Sequence, residues 1–128
     1  MGRPRARDLT ERELEVMHAF WSQEGDATAS EIRDRLAASG LDRTYTTIAT
    51  LVRNLHEKGF LAQVNEARPF LYRVARTFED ISGRFLGDLI DRVFRGSREQ
   101  LFVRLLRDRK LTARERAALT EILKEELP

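Results

Sequence analysis

No cysteine occurs among the 128 residues. Its absence excludes a disulfide framework and any thiolate metal or redox centre. Histidine is almost as scarce. His18 and His56 lie in separate segments, and neither has a second ligand at a helical metal spacing. No glycine-rich phosphate loop is present. Ser22, Ser30, Ser39, Ser82 and Ser97 fit loops, caps or surface better than nucleophiles. Enzymatic chemistry is therefore not expected, and no cofactor is implied. Long apolar runs are missing too, since none approaches the roughly 18 residues that mark a membrane span. The basic start, Met1 to Arg7, is not followed by an apolar stretch and does not read as a secretory leader. A cytoplasmic protein with no membrane partner is the expectation. Excess charge of one sign is also lacking. The formal net charge is +2, and residues 1–75 carry 11 basic and 11 acidic side chains. An anionic partner must be met by a few well-placed cations rather than by bulk attraction.

What the chain does have is apolar content, 41%, which suffices for a real core, and 34% charged residues, which suit helices with solvated faces. The length fits one ordinary domain or one small domain with an appended module. Residues 1–8 lack periodicity and read as a flexible basic arm, where Arg3, Arg5 and Arg7 can touch a polyanion. Thr10 and Glu13 form a capping box that opens a first helix, with Leu14, Met17, Phe20 and Trp21 as its buried stripe. Gly25 marks a loop. Thr28 and Glu31 repeat the box, and Ala29, Ile32 and Leu36 face inward on a second helix that ends at Ser39-Gly40.

The stretch from Arg43 to Gly59 has two unlike faces. Ile48, Leu51, Val52 and Leu55 recur at i, i+3, i+4 and i+7 and must be buried. Thr46, Thr47, Thr50, Arg53 and Asn54 lie off that stripe. Hydroxyls, an amide and a guanidinium suit base edges and phosphate oxygens. Two short helices, a tight connection containing glycine and a third helix with a polar outer face make a helix-turn-helix pattern. In that pattern Arg53 can bind guanine through both edges of its fork. Thr46, Thr47 and Thr50 can bond bases or pack on a thymine methyl, and Thr28 can fix register on the backbone. Arg43 and Tyr45 read as phosphate contacts. The bland alternatives are solvated threonines and an inward-packed Tyr45. A winged helix that grips a protein instead of DNA is the competing function. It predicts apolar residues on the outer face, where this chain places hydroxyls and Arg53.

After Gly59 the period changes to two. Phe60 to Val64 and Phe70 to Val74 read as strands joined by a turn at 65–69, with Arg68 near the tip as a phosphate or minor-groove contact. A ribbon directly after a recognition helix is the layout of a winged helix. Thr77 with Asp80, Ser97 with Gln100, and Thr112 with Glu115 then cap three further helices. Their apolar residues are Phe78, Ile81, Phe85, Leu89 and Val93, then Leu101, Phe102, Leu105 and Leu106, then Leu119, Ile122 and Leu123. Some 50 residues are marginal as an independent domain, so this stripe is expected to meet its equal on a second copy. Gly83 and Gly87, four apart, suit either close helix approach at that seam or an outer face that tolerates them. The expected organisation is mainly α with a small β-wing. It comprises an arm at 1–8, a winged helix-turn-helix DNA-binding domain at 9–75 and a C-terminal helical dimerisation region at 76–128.

T-Y-T-T-I-A-T-L-V-R-N-L-H-E-K-G-F-L at 44–61, followed by R-P-F-L-Y-R-V at 68–74, resembles the BlaI/MecI (penicillinase repressor) family of bacterial winged-helix repressors. L-T-E-R-E-L-E-V-M at 9–17, Trp21 and T-A-S-E-I at 28–32 look like that family's first two helices. The resemblance implies a homodimer that binds double-stranded DNA at a palindromic operator and blocks transcription. It also implies control of β-lactam resistance, with release when a membrane sensor protease cuts an Asn-Phe bond in the dimerising tail. The aligned pair here is Leu101-Phe102, so the asparagine is absent. A related branch senses copper through a cysteine-rich motif, and that mechanism does not carry over to a chain without cysteine.

Overall fold

A computed structural model describes residues 9–108 and 110–126. The expected arm at 1–8 lies outside the described residues. The elements run α1 (Glu11–Trp21), β1 (Ala27–Thr28), α2 (Ala29–Ala38), α3 (Tyr45–Glu57), β2 (Leu61–Gln63), β3 (Leu71–Val74), α4 (Phe78–Arg92), α5 (Arg98–Asp108) and α6 (Ala113–Glu126). The fold is a winged helix followed by a helical C-terminal region. Two compact units are present, Met1–Leu86 and Gly87–Pro128, and α4 runs from the first into the second.

Local chemistry sets the helix ends of the first unit. The Thr10 hydroxyl accepts the Glu13 N–H at 3.1 Å, and the Glu13 carboxylate accepts the Thr10 N–H at 2.8 Å. Thr28 and Glu31 repeat the exchange at 3.2 and 2.9 Å. Each box satisfies two N–H groups that a helix start otherwise leaves unpaired. Two helices stop on left-handed glycines, Gly40 at φ +94° and Gly59 at φ +88°. The next N–H then reaches back to the last turn, from Leu41 to the Leu36 carbonyl at 2.8 Å and from Phe60 to the Leu55 carbonyl at 2.9 Å. This is the Schellman closure, and it folds Phe60 back onto α3 beside buried Leu55.

The strands form a three-stranded antiparallel sheet in the order β1-β3-β2. Leu61, Ala62 and Gln63 pair with Val74, Arg73 and Tyr72, while Ala27 and Thr28 pair with Tyr72 and Leu71. β1 has no counterpart in the expected organisation. Two residues carry no periodicity, and the Thr28 cap signal dominates there. The β2–β3 ribbon thus gains a third strand from the doorstep of α2, which ties the wing into the helical head.

The core gathers Val16, Met17 and Phe20 of α1, Ile32 and Leu36 of α2, and Ile48, Val52 and Leu55 of α3. Phe60, Leu61, Tyr72 and Ile81 complete it. Each large side chain so buried contributes about 1.5–3 kcal/mol by leaving water. Three placements differ from expectation. Trp21 packs at the core's edge, half-buried, with its indole N–H donating to the Arg76 carbonyl at 2.9 Å. Leu14 is half-buried, while Val16 and Ala19 are fully covered. Ile81 is expected on the dimerising stripe, but it is 2% exposed within the head core. A 3.6-residue period gives a stripe, not the identity of what covers it, and the first turns of α4 belong to the head.

The second unit is different. Helix α4 ends at Arg92, and Arg95 and Gly96 then take positive φ, +54° and +87°. The Ser97 hydroxyl accepts the Gln100 N–H at 3.1 Å, and Thr112 exchanges two bonds with Glu115 at 2.8 and 3.1 Å. Of α5 only Leu101 is buried, and α6 buries nothing. Leu89, Val93, Phe102, Leu105, Leu106, Leu119, Ile122 and Leu123 are exposed, as are Phe78, Phe85 and Leu86 on the part of α4 that lies in the first unit. A methyl added at Gly83 or Gly87 meets no atom within 4 Å.

Candidate nucleic-acid interface

The buried stripe of α3 leaves Tyr45, Thr46, Thr50 and Arg53 exposed and Thr47 half-buried. Thr44 caps the helix, accepting the Thr47 N–H at 3.2 Å and donating its hydroxyl to Thr47 Oγ1 at 2.9 Å. The first turn contains no acid. Every other described helix has at least one there: Glu11 and Glu13 in α1, Glu31 in α2, Glu79 and Asp80 in α4, Glu99 in α5 and Glu115 in α6. The partial positive charge at the start of α3 is therefore left uncompensated, which favours an anion in front of it.

The wing is built around Asn65. Its side-chain amide donates to the carbonyls of Ala67 and Pro69, at 3.0 and 3.1 Å, and its carbonyl accepts the Leu71 N–H at 2.7 Å. One side chain thereby satisfies the turn's inward-facing backbone groups. Arg68 stays exposed, its guanidinium 5.2 Å above the Phe70 ring. That stacking restrains a long side chain without consuming its hydrogen-bond donors.

Tyr72 joins helix to wing. Its ring meets His56 edge-on with centroids 5.9 Å apart, and His56 Nδ1–H donates to the Leu61 carbonyl at 3.1 Å. Burial pushes the phenol's pKa above its usual value, and Tyr45 adds to the rise. The guanidiniums of Arg53 and Arg68 pull the other way.

Arg33 pairs with Asp34, Arg43 with Glu15, Lys58 with Glu13 and Arg73 with Asp26. Arg53 and Arg68 have no carboxylate within salt-bridge distance among the described residues. Arg12 and Arg35 are likewise exposed without a carboxylate partner among the described residues, but Arg53 lies on α3 with its row of hydroxyls and Arg68 on the wing. Thr28 sits at the start of α2, where its oxygen accepts the Glu31 N–H and its own proton stays available to donate. Arg43 is placed differently from the other sequence-derived candidates. It turns toward α1, donating to both Glu15 oxygens at 3.2 Å, and its Nε is buried without a partner.

Sequence reading missed Tyr72, Asn65 and the pairing roles of Glu13 and Glu15. Glu13 was visible only as a cap, and Lys58 only as a basic last turn. No group of acids and histidines suited to a metal occurs among the described residues, and none of the described helices is long and apolar enough to cross a membrane. A family model described as penicillinase repressor matches residues 9–125. No curated protein matches the chain.

Proposed function

The chain belongs to the penicillinase repressor family of DNA-binding transcriptional repressors, and we propose that it acts as a homodimer whose two heads read the halves of a palindromic operator. The observation that carries this reading is the outer face of α3, where Thr46, Thr50 and Arg53 are exposed behind a first turn without acid. Arg43, Lys58 and Arg73 are paired with carboxylates, whereas Arg53 on α3 and Arg68 on the wing are not. Thr46, Thr50 and Arg53 lie in the major groove, with Thr47 and Tyr45 at the helix start and Arg68 on the flanking backbone or minor groove. Thr28 contacts a phosphate. Arg43 works through Glu15 as an anchor of α3 rather than as a direct contact.

The exposed apolar residues of the tail support pairing with a second copy. Two heads on one duplex then sit a helical turn, or a multiple of it, apart. Residues 9–75 carry the reading and 76–128 the pairing, with Ile81 serving the head. The open space over Gly83 and Gly87 suits a neighbouring helix. The resemblance extends the reading to release by a sensor protease. The Leu101–Phe102 bond lies inside α5 and Leu101 is buried, so a cut there needs local unwinding. Cells given a β-lactam should accumulate a fragment ending at Leu101, and an intact chain throughout induction would refute this route.

Arg53→Ala tests the reading itself. It should cost roughly 1–3 kcal/mol on the operator and relax base choice at one position per half-site. Gel shifts across a salt series measure both effects. Equal loss on operator and random DNA would reduce Arg53 to a phosphate contact.

A further inference from the structure

The helix α3 is held at both ends by carboxylates of α1. Glu15 takes Arg43, two residues ahead of the helix, at 3.2 Å from each oxygen. Glu13 takes Lys58, the C-terminal cap residue, at 2.8 and 2.9 Å. The two cations are 15 positions apart in the chain, one before α3 and one at its end, while their carboxylates are two positions apart on α1. Both anchors carry a cost that simple folding does not require. Glu13 is 2% exposed, and burying a carboxylate is unfavourable unless it is well paired. A glutamine would complete the Thr10 capping box equally well, so the charge at this position serves Lys58 rather than the cap. At the other end, holding Arg43 on Glu15 leaves its Nε buried and unbonded.

Apolar packing explains how deep α3 sits, through Ile48, Val52 and Leu55. It is non-directional, so it restrains axial slide and roll only softly. Directional contacts at the two ends restrain both. Base reading needs this, because hydrogen-bonding groups must be held within about 0.5 Å and 10–20° of a productive geometry. On the reading proposed above, we infer that Glu13 and Glu15 are positioning residues for operator discrimination. Through Lys58 and Arg43 they set the axial register and roll of α3, and so decide which bases Arg53 and the threonines reach. The same pairs have a second effect: they neutralise two cations that would otherwise attract any phosphate backbone.

These effects give a signature that a purely structural role does not. In the full chain, Glu13→Gln with Glu15→Gln keeps the capping oxygen but removes both anchors. Operator affinity should fall about tenfold, the scale of one good base contact. Affinity for random duplex should hold or rise, because each head gains two positive charges. The probes are a duplex selected by the wild-type chain from a random library and a scrambled duplex of equal length. Binding is measured well below the melting temperature of every variant, with folding checked by circular dichroism. A second variant, Glu13→Gln with Lys58→Met, removes one anchor without adding charge. It should lose operator affinity with no gain on scrambled DNA. Parallel loss on both duplexes, or an unchanged ratio, would overturn the inference while leaving the DNA reading standing. A wild-type chain that enriches no sequence overturns both.

Discussion

The head and the tail contain the same kinds of residue and use them in opposite ways. In the head, Phe20, Phe60, Ile48 and Leu55 are at most 1% exposed and cover one another. In the tail, Phe102, Leu105, Ile122 and Leu123 are each more than half exposed, and α6 covers none of its own apolar residues. Propensity does not separate the two regions, because both are capped by Thr/Glu or Ser/Gln pairs and both show clear helical periodicity. Closure does. Three helices and a sheet surround a centre, whereas α5 and α6 present stripes that nothing described in this chain closes over. Exposed stripes of that kind are typical of interaction surfaces, and the pairing proposed above is assigned to the tail on that ground.

The largest effect should come from breaking that pairing. Leu105→Glu with Ile122→Glu places charge on two exposed tail residues and leaves the head core untouched. If the tail pairs two copies, the variant should sediment as a monomer and keep the head's cooperative melting. Its operator affinity should drop by roughly 10²–10⁴, the gain that linking two binding modules provides. A variant that sediments and binds like the wild type would remove the contrast between the two regions.

A matched pair of truncations sharpens the same contrast. Phe60→Ala empties a fully buried site beneath the Schellman closure of α3 and should cost about 3–5 kcal/mol of head stability. Leu105→Ala, at a site 60% exposed in the single chain, should change head melting by less than about 0.5 kcal/mol. Its effect should appear instead as weaker self-association at low protein concentration. Chemical denaturation followed at two concentrations separates these outcomes. A head destabilised equally by both would mean that the tail residues are core after all.

How much of this was readable from residues alone follows from the range of the interactions. Thr10 with Glu13, Thr28 with Glu31 and Thr112 with Glu115 span three residues each, so local pattern sufficed for the caps. Alternation sufficed for β2 and β3, because half-buried strands repeat every second residue. β1 is two residues long and has no pattern to read. Ile81 and Leu89 belong to one stripe, yet Ile81 closes the head and Leu89 is exposed. Only the path of the chain decides between them. The outer face of α3 was legible from side-chain chemistry. The fate of Arg43 was not, because its carboxylate lies 28 residues earlier and competes invisibly with any phosphate. The Lys58 partner is 45 residues away. Charge composition gives the number of cations, and only the fold shows which of them are paired with carboxylates.

The smallest predicted effect concerns acid, and it separates the regions again. Burial alone would raise the Glu13 pKa. The Lys58 ammonium and the hydrogen bonds from Thr10 outweigh it, so the carboxyl sits below its ordinary value near 4.5. A carboxyl depressed in the folded state binds its proton more readily when unfolded. Its contribution to stability is therefore full above the unfolded value and lost as pH falls through the folded one. Lys58 is 35% exposed, so solvent screens the pair and the contribution is modest. Head melting should be flat from pH 8 to 6 on this account and decline below about pH 4.5, where the first unfolded carboxyls protonate. Glu13→Gln should start lower and lose less over that acid range, since one pH-linked term has been removed. Among its described residues the tail, whose Arg92–Asp88, Arg104–Asp108 and Lys124–Glu121 pairs are all well exposed, offers no comparably buried carboxylate. Thermal melts of wild type and variant across that range decide the matter: identical acid limbs would mean that Glu13 does not link the head's stability to pH.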